Sequence, residues 1–482
     1  MIGHINEPST RQIMAVDGTL LDAIVGTDNI VDGNVTMSKL ADDLQVRLRS
    51  AANPYSLLPP PATFAATGWT PLALYQDASG APSLGDVSLL DFAPTGSGVW
   101  YVDIARPDNT GDGLTWATAK RGINYAIQLA NASADGGTIW VADGVYAYGD
   151  GFWTLDPTRN VAVRALNPGQ VVFSNHRNYT FALDGVYTDT YTVAHGIGSA
   201  AHYEVRDALY VDALGDYQQL TKQTSAASVD ANAGSWYDDG TTLWVRLSDD
   251  RAPDANLRPY WNAAGATPIT LDAGSPTVLL DGIRVEGGSS CVTVQAASGA
   301  AWPTVYLYGC TFKYAYANGL NSVGADTYCQ NCLAAKCVAD GFHYAEKATA
   351  VRQARFLEFN CVGRDNGNTA TAISNGSTSH NASVGIRLAC QYFGNYGRNL
   401  HDVGSGRSWV VGCWSHDSAS ATADCDIACG TGSGDSHLMW IDHCRTGGSA
   451  NDLEVALNCT IYKRWCSLGA GATTGAGTIT SY

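Results

Sequence analysis

Residues 355–361 read RFLEFNC and residues 385–390 read GIRLAC, two short runs whose closing cysteines stand 29 residues apart. The same ending recurs in TVYLYGC (304–310), TYCQNC (327–332), SWVVGC (408–413) and LMWIDHC (438–444). Cys310, Cys332, Cys361, Cys390, Cys413 and Cys444 therefore follow one another at intervals of 22, 29, 29, 23 and 31 residues. A second column trails each cysteine: Leu320, Phe342, Ile373, Leu400, Ile427 and Leu453. The runs alternate, with Leu357, Phe359 and Cys361 on one face against Glu358 and Asn360, and Ile386, Leu388 and Cys390 against Arg387. Period two over short runs, punctuated by Gly, Asn and Asp, makes strands. A repeat of this length holding two or three strands is one coil of a parallel β-solenoid, stacked on the next at about 4.8 Å. The expectation is an all-β chain, a parallel β-helix with an internal cysteine ladder. Gly and Asn beside each cysteine suit corners that need positive φ.

Thirteen cysteines in the chain, none before Cys291, cannot all pair, and MIGHINEPSTRQ lacks the basic start and apolar run of a secretory leader. Free thiols packed as small hydrophobes account for them. The C-x-x-C at Cys329 and Cys332 has its nearest mate, Cys425 with Cys429, almost a hundred residues away, which fails zinc spacing. Asp424 and Asp426 are too few for calcium. No metal and no cofactor are expected. Of 482 residues 15% are charged, Lys+Arg 28 against Asp+Glu 45 leave a net charge of −17, and Tyr (24) and Trp (13) are frequent. Nucleic-acid binding, which neutralises phosphates with Lys and Arg, is disfavoured by that balance. No apolar run reaches the roughly 18–20 residues of a membrane span.

Trp116, Ala119, Ile123, Ala126, Ile127 and Ala130 recur at helical spacing after the start signals Asp112, Gly113 and Thr115, and Asp135-Gly136-Gly137 stops them. Such a helix would cap the open end of the solenoid. Residues 185–265 break the rhythm, and Gly234 to Trp261 read as a hairpin turning at Asp238-Asp239-Gly240. Upstream, Met37, Leu40, Leu44 and Leu48 mark one face of a helix from Thr36 to Arg49, which suggests a multimer, and Pro59-Pro60-Pro61 makes a stiff neck. The chain thus divides into a segment 1–60 for anchoring and oligomerisation, a connector 61–96, the capping helix and first coils 97–184, an insertion 185–265, the main β-helix 266–466 and a flexible tail 467–482.

The block from Trp100 through the capping helix resembles the entry to the right-handed parallel β-helix of the pectate-lyase-like superfamily. GNVTMSKLADDL (33–44) resembles sequences at the base of bacteriophage tail fibres and tailspikes. The resemblance implies a homotrimer, assembled in the host cytoplasm and displayed on the virion as a tail appendage. It further implies attachment to phage tail proteins through residues 1–60 and a bacterial surface glycan as the target, with no nucleic acid and no membrane insertion. A non-enzymatic fibre and a cellular polysaccharide lyase are the alternatives to a hydrolysing depolymerase.

Hydrolysis of a glycosidic bond calls for two carboxyls, about 6.5–9.5 Å apart for inversion. Asp365 and Asp417 each stand four residues after a ladder cysteine, and Gly394 holds that place on the coil between, which predicts a pair two coils apart with room for a sugar above the glycine. Asp402 is the third acid considered. His343 and His401 follow the second column and are candidates for sugar hydroxyls, with Ser374 on the coil between, and Trp409 and Trp414 flank Cys413 as stacking surfaces. Glu358 and Arg387, each three before a ladder cysteine, are expected to pair across coils at the surface.

Overall fold

The structure, a computed structural model, describes residues 55–482 except 70, 78–79, 148–154, 198–201, 262–266, 272–275, 296–302, 348–351, 368–373 and 433. The helix expected over Thr36 to Arg49 lies outside the described residues. Three long parallel sheets carry the chain. Sheet I has twelve strands, from Gly98–Val102 to Thr478–Ser481; sheet II has nine, from Gly144–Ala147 to Arg445–Gly447; sheet III has nine, from Ile269–Leu271 to Ala472–Thr474. A typical coil runs Arg355–Phe359 in sheet I, Val362–Arg364 in sheet II and Ser377–His380 in sheet III. Each strand pairs in register with its counterpart one coil on, so the fold is a parallel β-helix.

The corner between sheets I and II is the tightest constraint. Gly309, Asn331, Asn360, Ala389, Gly412, His443 and Trp465 all sit there at φ between 50° and 61°. The next residue in each coil is a cysteine, and the ladder runs Cys310, Cys332, Cys361, Cys390, Cys413, Cys444 and, one coil beyond the expected column, Cys466. The N–H of Cys361 donates to Cys390 Sγ at 3.4 Å and that of Cys390 to Cys413 Sγ at 3.3 Å. All thirteen thiols are free and twelve are buried.

The left-handed corner also resets which way side chains point. Phe356 belongs to the interior with Cys361, whereas Leu357 and Phe359 face outwards. Leu357 and Phe359 thus do not share the face of Cys361 as the alternation predicts: one residue at positive φ, Asn360, between Phe359 and Cys361 breaks the two-residue parity. The outward stripe of Leu357, Ile386, Leu388, Trp409, Val411 and Trp440 is covered by the chain between residues 55 and 92, through Leu58, Phe64, Trp69, Leu74 and Leu84. Phe64 stands 6.0 Å from Trp409 and 5.9 Å from Trp440, and the Leu89 N–H donates to Gln330 Oε1 at 2.7 Å. The segment expected as neck and connector is packed cladding, with Pro61 buried ahead of the helical turn Ala62–Ala65.

Glu358 and Arg387 are not a surface pair. They share a register with Leu280, Leu307, Cys329, Val410 and Ile441 and are wholly buried inside the coils. Arg387 forks onto both oxygens of Asp402 at 2.8 Å, and its Nε donates to Ser377 Oγ at 2.8 Å. Glu358 accepts from Ser377 Oγ at 2.6 Å and from Tyr392 OH at 2.7 Å. Ser377, not Ile373, occupies the second column between Phe342 and Leu400, because this polar cluster needs a hydroxyl there.

Two further boundaries differ from expectation, and the hairpin between them matches it. Thr115 caps a short turn, Trp116–Thr118, and the helix itself runs only from Ile123 to Ala132, its Ile123, Ala126, Ile127 and Ala130 joining the core of the first coils. The hairpin Ser235–Asp238/Thr242–Arg246 forms as expected, within an insertion that adds a five-stranded and a three-stranded sheet. The expected flexible tail adds a further coil: Ala472–Thr474 extends sheet III and Thr478–Ser481 extends sheet I.

Burial raises the Glu358 carboxyl from 4.5 to about 7, despite the opposing pull of Arg387 and the hydrogen bonds from Ser377 and Tyr392. The unfolded chain gives up this proton first, so stability falls as pH rises from about 4.5 to about 7. Glu358→Gln, which can keep both hydrogen bonds, should stabilise the protein by about 1–4 kcal/mol at pH 8 and change little at pH 4, measured by denaturant unfolding. A second expectation concerns the ladder: a thiol reagent on the native protein should label Cys466 first and the twelve buried cysteines only on unfolding, as read by peptide mass spectrometry.

Candidate functional site

The insertion covers the outer face of sheet II over its early coils, as a wall, and leaves the later coils open to solvent. Outward positions of successive strands bring Glu286, Lys313, Ala335, Arg364, Phe393, His416 and Gly447 into one column. The insertion strands His202–Val211, Tyr217–Gln219 and Leu257–Trp261 lie against the first four of these. Their anchor is Asp216: Lys313 Nζ donates to its Oδ1 at 2.6 Å and Arg364 to its Oδ2 at 2.7 Å, all three groups buried. Lys313 also reaches the Gly215 carbonyl at 2.8 Å and Arg364 the Leu214 carbonyl at 2.9 Å. Burial would raise the Asp216 carboxyl, but the hydrogen bonds and charges of Arg364 and Lys313 win and bring it down to about 2. Aromatic groups complete the seam: the Arg206 guanidinium lies 4.2 Å over the Tyr314 ring, Arg284 lies 4.6 Å over Tyr217, and Tyr260 OH donates to Glu286 at 2.8 Å.

The insertion carries a cleft of about 690 Å³, lined by Arg206, Tyr210, Asp212, Tyr217, Gln219 and Asp249 among others and reaching the coils at Lys336. Lys336 stands 3.5 Å from Asp365 Oδ2, which also accepts from Arg364 at 2.7 Å. From there a second left-handed column climbs the coils: Lys336, Asp365, Gly394, Asp417 and Gly448, with φ between 54° and 82°. The N–H of Asp365 bonds the Phe393 carbonyl and that of Gly394 the Asp417 carbonyl, so Asp365, Gly394 and Asp417 share one position on three consecutive coils. The space above the glycine is already taken, however. A Cβ at Gly394 would meet Asp365 Oδ1 at 2.6 Å, and one at Gly448 would meet Asp417 Oδ1 at 1.9 Å. Each carboxylate leans over the next coil, where glycine alone makes way for it, and no sugar fits there.

Beside this column lies a ring platform. His416 stacks on Phe393 at 5.0 Å and 8°, and on the exposed Trp414 at 3.9 Å. His416 Nδ1 lies 2.7 Å from Asp417 Oδ2, tying the rings to the exposed carboxylate. Trp414, Asp365 and Asp417 thus occupy one flank.

The other candidates do not join them. Trp409 is buried under Phe64 and donates to Asp442 Oδ2 at 2.9 Å, so it is packing and no stacking surface. Asp402 is fully buried and closed to substrate; although burial opposes it, the Arg387 and His437 charges hold its carboxyl well below the usual range. His401 is buried in sheet III with Nε2 3.2 Å from the Gly430 carbonyl, and burial lowers it to about 4. His343, also in sheet III, is lowered by burial to about 3 and packs on His380. Sequence reasoning missed Asp216, Lys313, Arg364 and Lys336. A signal existed: Lys313 and Arg364 both stand three residues after a ladder cysteine, facing an acidic loop at 212–216.

No protein-family model matches this chain, and neither does any curated protein. Among solved structures it is similar to XylC in complex with xylose (TM-score 0.44, 10% identity, covering 77% of this chain and 70% of that one). It is also similar to the pectate lyase Pel9A (0.39, 12%, 79% and 78%) and to the tailspike protein gp49 from Pseudomonas phage LKA1 (0.31, 11%, 79% and 78%). At such identities the chemistry of this chain has to be read from its own side chains. Among the described residues no helix is long and apolar enough to cross a membrane.

Asp216→Ala strips the buried Lys313 of its carboxylate and leaves Arg364 with Asp365 alone, and should loosen the insertion by about 3–5 kcal/mol. Hydrogen exchange should quicken across 202–219 while amides inside the coils keep their protection. Because the Asp216 carboxyl is depressed, its contribution is present above about pH 4 and should fade as pH falls towards 2.

Proposed function

We propose that this protein binds a bacterial surface polysaccharide along the outer face of sheet II and hydrolyses it there. One observation carries the reading: the stacked rings of Phe393, His416 and Trp414 adjoin the Asp365–Asp417 column and continue from the cleft beside the insertion. Flat rings stack on sugar faces, and carboxylates and cations beside them serve hydroxyls and catalysis. Two coils separate the Asp365 and Asp417 backbones, on the order of 9.6 Å, near the upper limit for an inverting pair. In this reading the sugar lies against the ring platform, outside the filled position above Gly394, with Asp365, held by Arg364 and Lys336, as the base that activates water and Asp417 as the acid. In the same reading the chain is a trimeric tailspike, attached to the virion through residues 1–60.

Binding without cleavage is the second reading. It is favoured by the ties on Asp365, whose carboxylate is bonded to Arg364 and lies close to Lys336.

Size analysis of capsular polysaccharide and lipopolysaccharide from a panel of bacteria, before and after incubation with the purified chain, separates the two. Shortened chains are expected, with Asp365→Asn and Asp417→Asn each lowering cleavage by about 10²–10⁴-fold. Trp414→Ala should weaken binding about two- to tenfold. Intact chains that still bind would make the protein an adhesin, and failure to bind any member of the panel would sink the glycan reading. Sedimentation at the mass of one chain, rather than three, would remove the trimer.

A further inference from the structure

On sheet III, away from the cleft, the corner that enters each coil carries a ladder of Asx side chains. The Asp340 N–H donates to Asn318 Oδ1 at 3.1 Å, the Asn375 N–H to Asp340 Oδ1 at 2.7 Å, and the Arg398 N–H to Asn375 Oδ1 at 3.1 Å. Asn375 Nδ2 lands on the same Asp340 oxygen at 3.0 Å. Asp340 is an acid in a ladder otherwise built of asparagine. Among the described residues no Lys or Arg pairs with it, and burial pushes its carboxyl up to about 7 even against the Asn375 hydrogen bonds.

Two imidazoles stand beside it. His343 lies in strand Phe342–Ala345 opposite Thr378, and His380 ends strand Ser377–His380 opposite Ala345, so the two rings are diagonal neighbours with centroids 4.7 Å apart. One ligating atom from each of Asp340, His343 and His380 lies within 4.8 Å of the other two. Bonds of about 2.1 Å at a tetrahedral centre ask for donors about 3.4 Å apart, a contraction that small side-chain rotations supply. His343 Nδ1 is buried without a partner, which a satisfied core histidine would not leave. The surroundings are acidic: Asp402 and Asp435 face His380, and Glu346 accepts from the Ala382 N–H.

We propose that Asp340, His343 and His380 bind one divalent transition-metal ion, zinc being the fit for two imidazoles and a carboxylate, with water completing the shell. The ion bridges two adjacent coils and supplies the positive charge the buried acid lacks. Nothing in the glycan reading bears on this site. The other histidine–carboxylate group, His195, His202 and Asp238, also leaves one buried imidazole nitrogen, His195 Nδ1, without a partner, but its carboxylate is spent: the two rings take both Asp238 oxygens at 3.0 and 2.6 Å, and backbone N–H groups of His202 and Gly240 share them.

The test is a Zn²⁺ titration of the full chain, reduced and stripped with chelator, against a chromophoric indicator, followed by Co²⁺ absorption. One ion per chain is expected, bound at least tenfold more weakly in Asp340→Asn and His380→Gln and unchanged in His195→Gln. Asp340→Asn retains the oxygen that Asn375 needs, so the coil should stay folded, as circular dichroism will verify. Cobalt should give visible bands without the intense near-ultraviolet band of thiolate ligation. The proposal falls if no saturable binding is seen, if both variants bind like the parent, if His195→Gln abolishes binding, or if the thiolate band shows that cysteines hold the metal.

Discussion

The left-handed residue at the corner between sheets I and II is what the rest of the molecule depends on. It recurs in every central coil, and its N–H bonds the carbonyl of the neighbouring coil, as Asn360 does to Leu388 and Ala389 to Val411. For residues other than glycine this backbone costs about 1–2 kcal/mol, and asparagine softens it with local hydrogen bonds. Here the relief comes from the neighbouring coil instead: Asn360 Nδ2 reaches Asn331 Oδ1 at 2.7 Å. Ala389 and His443 are held by the coils on either side, which fix the same turn above and below them, and Trp465 by the coil that precedes it. Once the corner is set, the thiol behind it must point inwards, and the ladder is a consequence of the turn.

That corner also separates an unusual interior from an unusual exterior. Inside, the column through Leu307 and Cys329 passes into Glu358 and Arg387 before returning to Val410 and Ile441. A buried ion group of this kind gains little stability over hydrocarbon, but it penalises any slip of one coil against the next, since each charge would lose its partner. Outside, sheet I carries an apolar stripe that needs covering, and sheet II does not. The division assigns the flanks: sheet I is closed by the chain before residue 93, and sheet II remains open for the insertion wall, the cleft and the ring platform.

Repetition made the coil rhythm, the ladder and the Asp365–Gly394–Asp417 register legible in the sequence, because stacking turns spacing into position. What repetition could not show is how a single residue at positive φ reverses the parity of a strand. Glu358 therefore reads as solvent-exposed when Tyr392 and Ser377 enclose it, whereas Trp409 does face outwards and is lost as a stacking surface only because Phe64, from far along the chain, covers it. The rule that apolar residues mark the second column failed at Ser377 for the same cluster. The clamp of Lys313 and Arg364 on Asp216 joins residues about a hundred and a hundred and fifty positions apart, and only the folded insertion brings them together. Asp402 and His401 lie beside Leu400 in the expected second column, but nothing local distinguishes a turn acid open to solvent from one enclosed by an arginine on the adjacent sheet.

The cladding of sheet I sets an order of events during synthesis. Phe64 is among the earliest described residues to leave the ribosome, yet it packs between Trp409 and Trp440, which are among the last. At about 5–20 residues per second the N-terminal segment waits tens of seconds for its partners. Meanwhile the coils can stack one by one as they emerge, since each needs only its predecessor. The cladding then closes over a finished solenoid, sealing a strip of leucine and tryptophan that an incomplete chain would leave open to aggregation or to chaperones.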